Sequence, residues 1–239
     1  MKTICLLALA GLAFAASTGF GQTSIAITNP SFETDSAPAG SFTFISGGAG
    51  TGTLTGWTAS STAQDPIIDL QRPNGTGQDG TGATPVAGQD ATQIVEIYNL
   101  NSFTAGAGNV HQNLLTSFVA GDTYMLTADA GVKTGQTPQA GDVFFIANSS
   151  GSVLESTPIT GITPGAFSQF TVTLASDGTF GDTGPIQIGF SSPSSNDGSY
   201  MEIDNFALTV TPTVPEPGPI VIAAFGGFGL LGLARRRRA

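Results

Sequence analysis

Few side chains in this sequence could do chemistry, and their types narrow the choice quickly. Cys5 is the one cysteine and lies in an apolar leader, so the rest of the chain offers no disulfide, zinc-thiolate site or cysteine nucleophile. His111 is the one histidine. It has no Gly-x-Ser-x-Gly partner and no second metal-binding histidine, so it reads as a hydrogen-bonded strand residue and not a catalyst. Carboxylates abound, but no spacing singles out the acid/base pair that glycoside hydrolysis needs. Tyr98 beside Asn99 and Asn101 puts an aromatic face next to amides, the combination that could hold a sugar, with edge packing as the plainer alternative. Trp57 reads as a core plug. Gly75-Thr76-Gly77-Gln78-Asp79-Gly80 matches a dinucleotide fingerprint in form only, because no helix pattern follows it to receive a phosphate. Thr51, Thr53 and Thr55 alternate as an ice-binding array does, but within a single glycine-rich loop.

The elements that must position these residues are strands. Between Thr23 and Thr213 the chain is dense in Gly, Ser, Thr and β-branched residues, with short alternating apolar runs bounded by Gly, Pro, Asn and Asp. Eleven strands are expected, at 24–28, 42–46, 67–70, 93–98, 109–115, 123–132, 142–148, 153–159, 167–174, 186–191 and 200–210. That many short strands without a helix pattern predict an all-β, jelly-roll-like β-sandwich. Phe170, Val172 and Leu174 share one face, as do Ile186, Ile188 and Phe190. In the last strand Met201 and Ile203 are apolar at odd positions, whereas Phe206, Leu208 and Val210 are apolar at even ones. A strict period of two cannot bury both sets, so a β-bulge is expected near Asp204-Asn205.

Charge excludes some partners. Of 17 acidic residues all but Glu216 fall in this middle region, against only Arg72 and Lys133. Such a surface repels nucleic acid and anionic lipid and suits divalent cations or neutral polymers.

The two ends read as signals and not as fold. Residues 1–22 form a signal peptide, with Lys2 as a short basic region, an apolar stretch from Ile4 to Ala16, and small residues around the cleavage site. Residues 23–213 form the domain. Residues 214–239 run from Val214-Pro215-Glu216-Pro217-Gly218-Pro219 through an uncharged apolar stretch, Ile220 to Ala234, into Arg235, Arg236, Arg237 and Arg238. The prolines hold the collar extended. As a helix the apolar stretch would reach about 22 Å, a marginal span of a ~30 Å hydrocarbon core, with the arginines held on the cytoplasmic side.

This tail resembles the PEP-CTERM sorting signal of exopolysaccharide-producing Gram-negative bacteria, a signature also labelled an ice-binding protein C-terminal motif. The resemblance implies export through the inner membrane, a transient C-terminal anchor, and processing by an exosortase that recognises Pro215, Glu216 and Pro217. The cell surface or extracellular matrix would be the destination, with exopolysaccharide as a partner. Within the domain, Ile27-Thr28-Asn29-Pro30-Ser31-Phe32-Glu33 with Gly56-Trp57-Thr58, Val110-His111-Gln112 with Gly121-Asp122-Thr123-Tyr124, and Ile203-Asp204-Asn205-Phe206 resemble galactose-binding-like jelly rolls. That resemblance implies a structural calcium ion near the paired chain ends, with Glu33 and Asp204 as its carboxylates.

With no catalytic constellation visible, the sequence leads to the expectation of a non-catalytic exported surface or matrix protein whose jelly roll holds glycans. A polysaccharide-active enzyme using a carboxylate pair is the alternative, and ice binding trails both.

Overall fold

Apolar alternation is realised as twelve strands in a computed structural model, described for residues 21–38, 41–46, 52–63, 66–72, 93–99, 106–177, 184–195 and 198–213. They are β1 (Thr23–Ile25), β2 (Ser41–Ser46), β3 (Thr58–Ser61), β4 (Ile67–Arg72), β5 (Ile94–Tyr98), β6 (Gly106–Ser117), β7 (Thr123–Gly131), β8 (Val143–Asn148), β9 (Val153–Pro158), β10 (Phe167–Ala175), β11 (Pro185–Ser195) and β12 (Tyr200–Thr211). A seven-stranded sheet has the order β10-β7-β12-β5-β4-β2, with β1 paired to β12, and a five-stranded sheet has the order β3-β6-β11-β8-β9. All the pairings are antiparallel. The described residues form an all-β sandwich with no helix.

The inner faces supply one core. Ile68 and Leu70, Val95 and Ile97, and Met201 and Ile203 come from the larger sheet; Val110, Leu114, Phe144, Ile146, Ile186, Ile188 and Phe190 come from the smaller. Phe144 meets Phe206 across the interface with ring centroids 5.5 Å apart at 86°, the edge-to-face arrangement that aromatic quadrupoles favour. Trp57 is a core plug, as expected. It lies 4.7 Å from the Phe206 ring and 5.3 Å from Phe32, and its indole N–H donates to the Asn29 carbonyl at 3.0 Å.

Two differences from the sequence reading have physical causes. The twelfth strand, β3, reads Thr-Ala-Ser-Ser and has no apolar period; it forms as an edge against β6, with Ala59 facing the core. β1 stops at Ile25 and does not run to Thr28. There the Gln112 side-chain amide takes over from a strand, accepting from Thr28 N and donating to Thr28 O, both at 2.8 Å.

The expected bulge is present. Pairing of β12 with β7 slips between Asp204 and Ala207, and Asn205 takes φ 53°. The slip lets Ile203, Phe206 and Leu208 all reach the core. Asn205 is held by its amide donating to Asp129 Oδ2 at 3.0 Å and by Ser31 Oγ donating to its Oδ1 at 3.0 Å. Phe206 N also donates to the Pro30 carbonyl at 3.0 Å, so hydrogen bonds tie the start of the domain to its last strand.

Candidate active site

Three strands of the larger sheet each carry a charged residue flanked by apolar ones: Ile67-Ile68-Asp69-Leu70, Ile94-Val95-Glu96-Ile97 and Met201-Glu202-Ile203. The apolar neighbours at ±1 enter the core, which turns the acid to the opposite, outer face of the sheet. Register then aligns them. Asp69 faces Glu96, Glu96 faces Glu202, and Glu202 faces Gly131 across successive pairs. Lys133, two residues beyond Gly131, supplies a cation.

These groups are withdrawn from water: Asp69, Glu96, Glu202 and Lys133 are each 2% exposed or less. Lys133 Nζ lies 2.5 Å from Glu96 Oε2 and 3.7 Å from Glu202 Oε1. It also donates to Gln71 Oε1 at 2.8 Å, and the Gln71 amide nitrogen donates to Glu96 Oε1 at 2.5 Å. Glu96 thus receives the ammonium and an amide, the arrangement that best holds an anion.

Rings border the charged row. Tyr98 and Tyr200 are cross-strand partners one alternation from Glu96 and Glu202, and they stack with centroids 5.5 Å apart at 8°. On β2, Phe44 faces Asp69 and Phe42 faces Gln71. On β10, Phe167 faces Gly131. The segment after β7 folds back over the tyrosine end, where Tyr200 N donates to the Thr137 carbonyl at 2.9 Å. Gln139, in the same segment, accepts from the side chains of Asn99 and Ser199, and all three are buried. A row of carboxyl groups beside an ammonium, out of water and bordered by aromatic rings, has the chemistry to exchange a proton and to stabilise a cation.

The residues picked from sequence fall in different places. Tyr98 belongs to this site. Asn99 points into the polar cluster with Gln139 and Ser199, away from the face that Tyr98 occupies, and Asn101 lies outside the described residues. Asp204 is fully buried on the charged face, two residues beyond Glu202, and accepts from Asn205 N at 2.8 Å. Glu33 is exposed, and its Oε1 accepts from Gln93 N at 2.5 Å. Among the described residues no group of three or more His, Cys, Asp or Glu side chains is placed to hold a metal ion. Pro215, Glu216, Pro217 and Arg235, Arg236, Arg237 and Arg238 lie outside the described residues, as do residues 1–20. No described helix is long and apolar enough to cross a membrane. His111 sits on the other sheet, half-buried, with Nδ1 2.5 Å from Asn109 Oδ1; burial lowers its pKa. Sequence reading missed Asp69, Gln71, Glu96, Lys133 and Glu202. The available signal was a carboxylate inside each of three otherwise apolar strands.

Comparison with known proteins bears on the family of the chain. The family model HpiC1-like, described as HpiC1 cyclase, matches residues 23–209. No curated protein matches the sequence. The Stig cyclase Fisc from Fischerella sp. TAU, solved with (3Z)-3-(1-methyl-2-pyrrolidinylidene)-3H-indole, superposes with a TM-score of 0.62 at 20% identity, over 81% of this chain and 100% of that one. A cyclase from the same organism, in complex with 4-(1H-indol-3-yl)butan-2-one, gives 0.60 at 20% identity, over 81% and 100% of the two chains. An arabinose-bound α-L-arabinofuranosidase, MgGH51, gives 0.53 at 14% identity, over 80% of this chain and 27% of that one. At these identities structural likeness shows the fold alone. The family match overturns two expectations, that the protein is a non-catalytic surface or matrix protein holding glycans and that it is not an enzyme. Neither polysaccharide hydrolysis nor ice binding replaces them. The physical reason for the miss is that the acidic groups are distant in sequence and meet only through strand register.

Proposed function

The chain belongs to the HpiC1-like cyclase family, and from that membership we propose that it is an enzyme closing a ring in an apolar substrate by acid catalysis on the outer face of the seven-stranded sheet. One observation carries the reading: Asp69, Glu96, Glu202 and Lys133 occupy adjoining positions and are 2% exposed or less. Carboxyl groups set side by side on neighbouring strands and withdrawn from water disfavour one another's ionised form. Carboxyl groups on neighbouring strands therefore keep a proton among them. Glu96, held by Lys133 and Gln71, serves as the anion. Glu202, farther from the ammonium at 3.7 Å, carries the transferable proton.

The cycle balances as an isomerisation. Glu202 gives its proton to a carbon–carbon double bond, whose π pair forms the new C–H bond and leaves a cation. A second double bond supplies the pair for the ring C–C bond, and the charge moves to its far carbon. Glu96 takes a neighbouring proton, the C–H pair restores an alkene, and the proton passes back along the carboxyl row to Glu202. Carboxylates stabilise the cation by charge and the Tyr98–Tyr200 faces by their quadrupoles. The indole compounds bound by the two Fischerella cyclases support an aromatic, largely apolar substrate. The test is to incubate the full chain with indoles bearing unsaturated side chains, in H2O and in D2O. An isomer of unchanged mass in H2O, gaining a deuteron in D2O, is expected. No isomer from any member, or equal turnover by Glu202→Gln, would sink the reading.

For the ends of the chain we infer export with a transient anchor, recognised by an exosortase through Pro215-Glu216-Pro217 and cut near them. The order of collar, apolar stretch and four arginines supports it. Residues 22–213 form their own compact unit, so deleting Pro215 to Ala239 should change where the protein fractionates and leave its melting midpoint alone. A large loss of stability on that deletion would count against a sorting role.

A further inference from the structure

Among the described residues four large apolar side chains are exposed: Phe44, Leu115, Val119 and Val153. Register gathers the last three at one end of the sandwich. β6 ends at Ser117, which pairs with Pro185 at the start of β11. Ile186 pairs with Asn148 at the end of β8, and Ala147 pairs with Val153 at the start of β9. Val119 lies in the connection from β6 to β7, which crosses from the smaller sheet to the larger. Both ends of the domain come to the same place, because Thr211 pairs with Thr123 and Val210 with Thr23. Tyr200, which stacks on Tyr98, begins β12 at the opposite end.

Local structure holds each of the three side chains out. From Asn113 to Ser117 β6 takes four steps where β11 takes two, from Gln187 to Pro185, so β6 bulges. Leu115 stands midway along that bulge at 104% exposure, while Leu114 beside it enters the core. In β9 the two steps from Glu155 to Val153 oppose one step from Ile146 to Ala147, a second bulge. The hairpin tip before Val153 is pinned by Asn148 Oδ1, which accepts from Ser150 N at 3.2 Å and Ser152 N at 2.9 Å. Val119 is fixed from both sides. Its N–H donates to the Tyr124 hydroxyl at 2.7 Å, and its carbonyl accepts from Asp122 N at 3.2 Å.

Charge and chain path identify what these side chains meet. β6 and β9 are three strand positions apart, about 15 Å, so the tips make a spread footing and not one compact patch. The turns at this end carry Asp122 and Asp177 and neither Arg72 nor Lys133, so an anionic surface is repelled. Thr213, the last described residue, is tied down here: its N–H donates to Asp122 Oδ1 at 3.0 Å and its hydroxyl to the Gly121 carbonyl. Six residues, Val214 to Pro219, then lead to the uncharged apolar stretch, a reach of at most about 20 Å.

We propose that this end of the sandwich is a membrane-contacting surface, which seats Leu115, Val119 and Val153 in the headgroup layer of an electrically neutral bilayer. Apolar burial supplies the attraction, and the tyrosine end of the larger sheet then points away from the lipid. This assignment rests on the tail being an anchor, and its test reads the two separately.

The full chain is reconstituted into phosphatidylcholine vesicles with brominated acyl chains, which quench indole fluorescence on contact. Single variants Leu115→Trp, Val153→Trp and Ala140→Trp are compared; Ala140 is exposed and precedes β8, at the opposite end. Trp57 is buried in the core and gives the same background in all three. In floated vesicles Leu115→Trp and Val153→Trp should each lose more than about half of the added emission, as groups entering the headgroup boundary do. Ala140→Trp should lose none, and brominated phosphatidylglycerol should quench the first two less. Flotation without quenching at positions 115 and 153, or with equal quenching at 140, overturns the surface and leaves the anchor standing. Stronger quenching by phosphatidylglycerol overturns the assignment to neutral lipid. A blue shift that grows with protein density, without quenching, would place a second copy on this end and overturns it as well. Protein that fails to float removes the anchor, and the surface with it.

Discussion

The two sheets turn opposite kinds of surface outward. On the smaller sheet, β6 presents Asn109, His111 and Asn113, neutral polar groups that are half-buried or exposed and bond to one another or to Gln187. On the larger sheet, the equivalent outward positions of β4, β5 and β12 hold Asp69, Glu96 and Glu202, all withdrawn from water around Lys133. A half-wet neutral face needs no explanation beyond solubility. Buried charge opposes folding and persists where something else depends on it. The contrast is the ground on which the proposed chemistry is placed on one face of one sheet.

The sharpest way to break this contrast is catalytic. Glu202→Gln keeps shape and removes the transferable proton, so ring closure should fall about 100- to 10,000-fold, the range general acids contribute. His111→Gln on the opposite face should leave turnover within twofold. Comparable losses from both would show that the faces are not functionally distinct. The next effect is on stability. Lys133→Met strands the carboxyl row without its cation and should cost about 3–5 kcal/mol in urea unfolding. Adding Glu96→Gln should recover part of that loss, and Asn113→Ala on the exposed face should cost less than about 0.5 kcal/mol.

Sequence alone carried the sandwich because the inner faces obey a period of two. Phe170, Val172 and Leu174 or Ile186, Ile188 and Phe190 show it without any neighbour. It also carried the bulge, since the phase break between Ile203 and Phe206 is local. The charged row was not legible for the same reason in reverse. Glu96 and Glu202 are 106 positions apart and become neighbours only when β5 pairs with β12 in one register. Lys133 looked like a stray cation in an acidic chain. Tyr98 was picked out for its amides, Asn99 and Asn101, but its partners are Tyr200 and the carboxyl row. A carboxylate between apolar residues in three separate strands was the readable clue that these strands are buried on both faces.

A third prediction tests what keeps the acids on their own side. Asn205 occupies the left-handed region and resets the phase of β12, so that Glu202 faces outward while Phe206 and Leu208 face the core. Asn205→Ala should cost about 1–2 kcal/mol, the penalty for a Cβ there without the side-chain bonds of Asn. Asn205→Gly should cost less, because only the bonds to Asp129 and Ser31 are lost. A larger loss in the glycine variant would mean that the hydrogen bonds, and not the backbone, fix the bulge.

The smallest effect belongs to the quiet face. Burial lowers the pKa of His111 below its ordinary value of 6.5, so the folded protein holds the ring neutral at a pH where the unfolded chain has already taken up a proton. Stability from this residue is therefore full above about pH 6.5 and is lost as pH falls through that value toward the lower folded pKa. The ring is only half-buried and bonds Asn109 through Nδ1, so the loss is small. Between pH 8 and pH 5 the intact protein should lose about one or two degrees of melting midpoint more than His111→Gln does. Taking the difference between the two proteins cancels whatever the carboxyl row contributes over the same range. A midpoint difference of the opposite sign would mean that His111 is held charged, and the smaller sheet would then also carry a working ionisable group on its outer face.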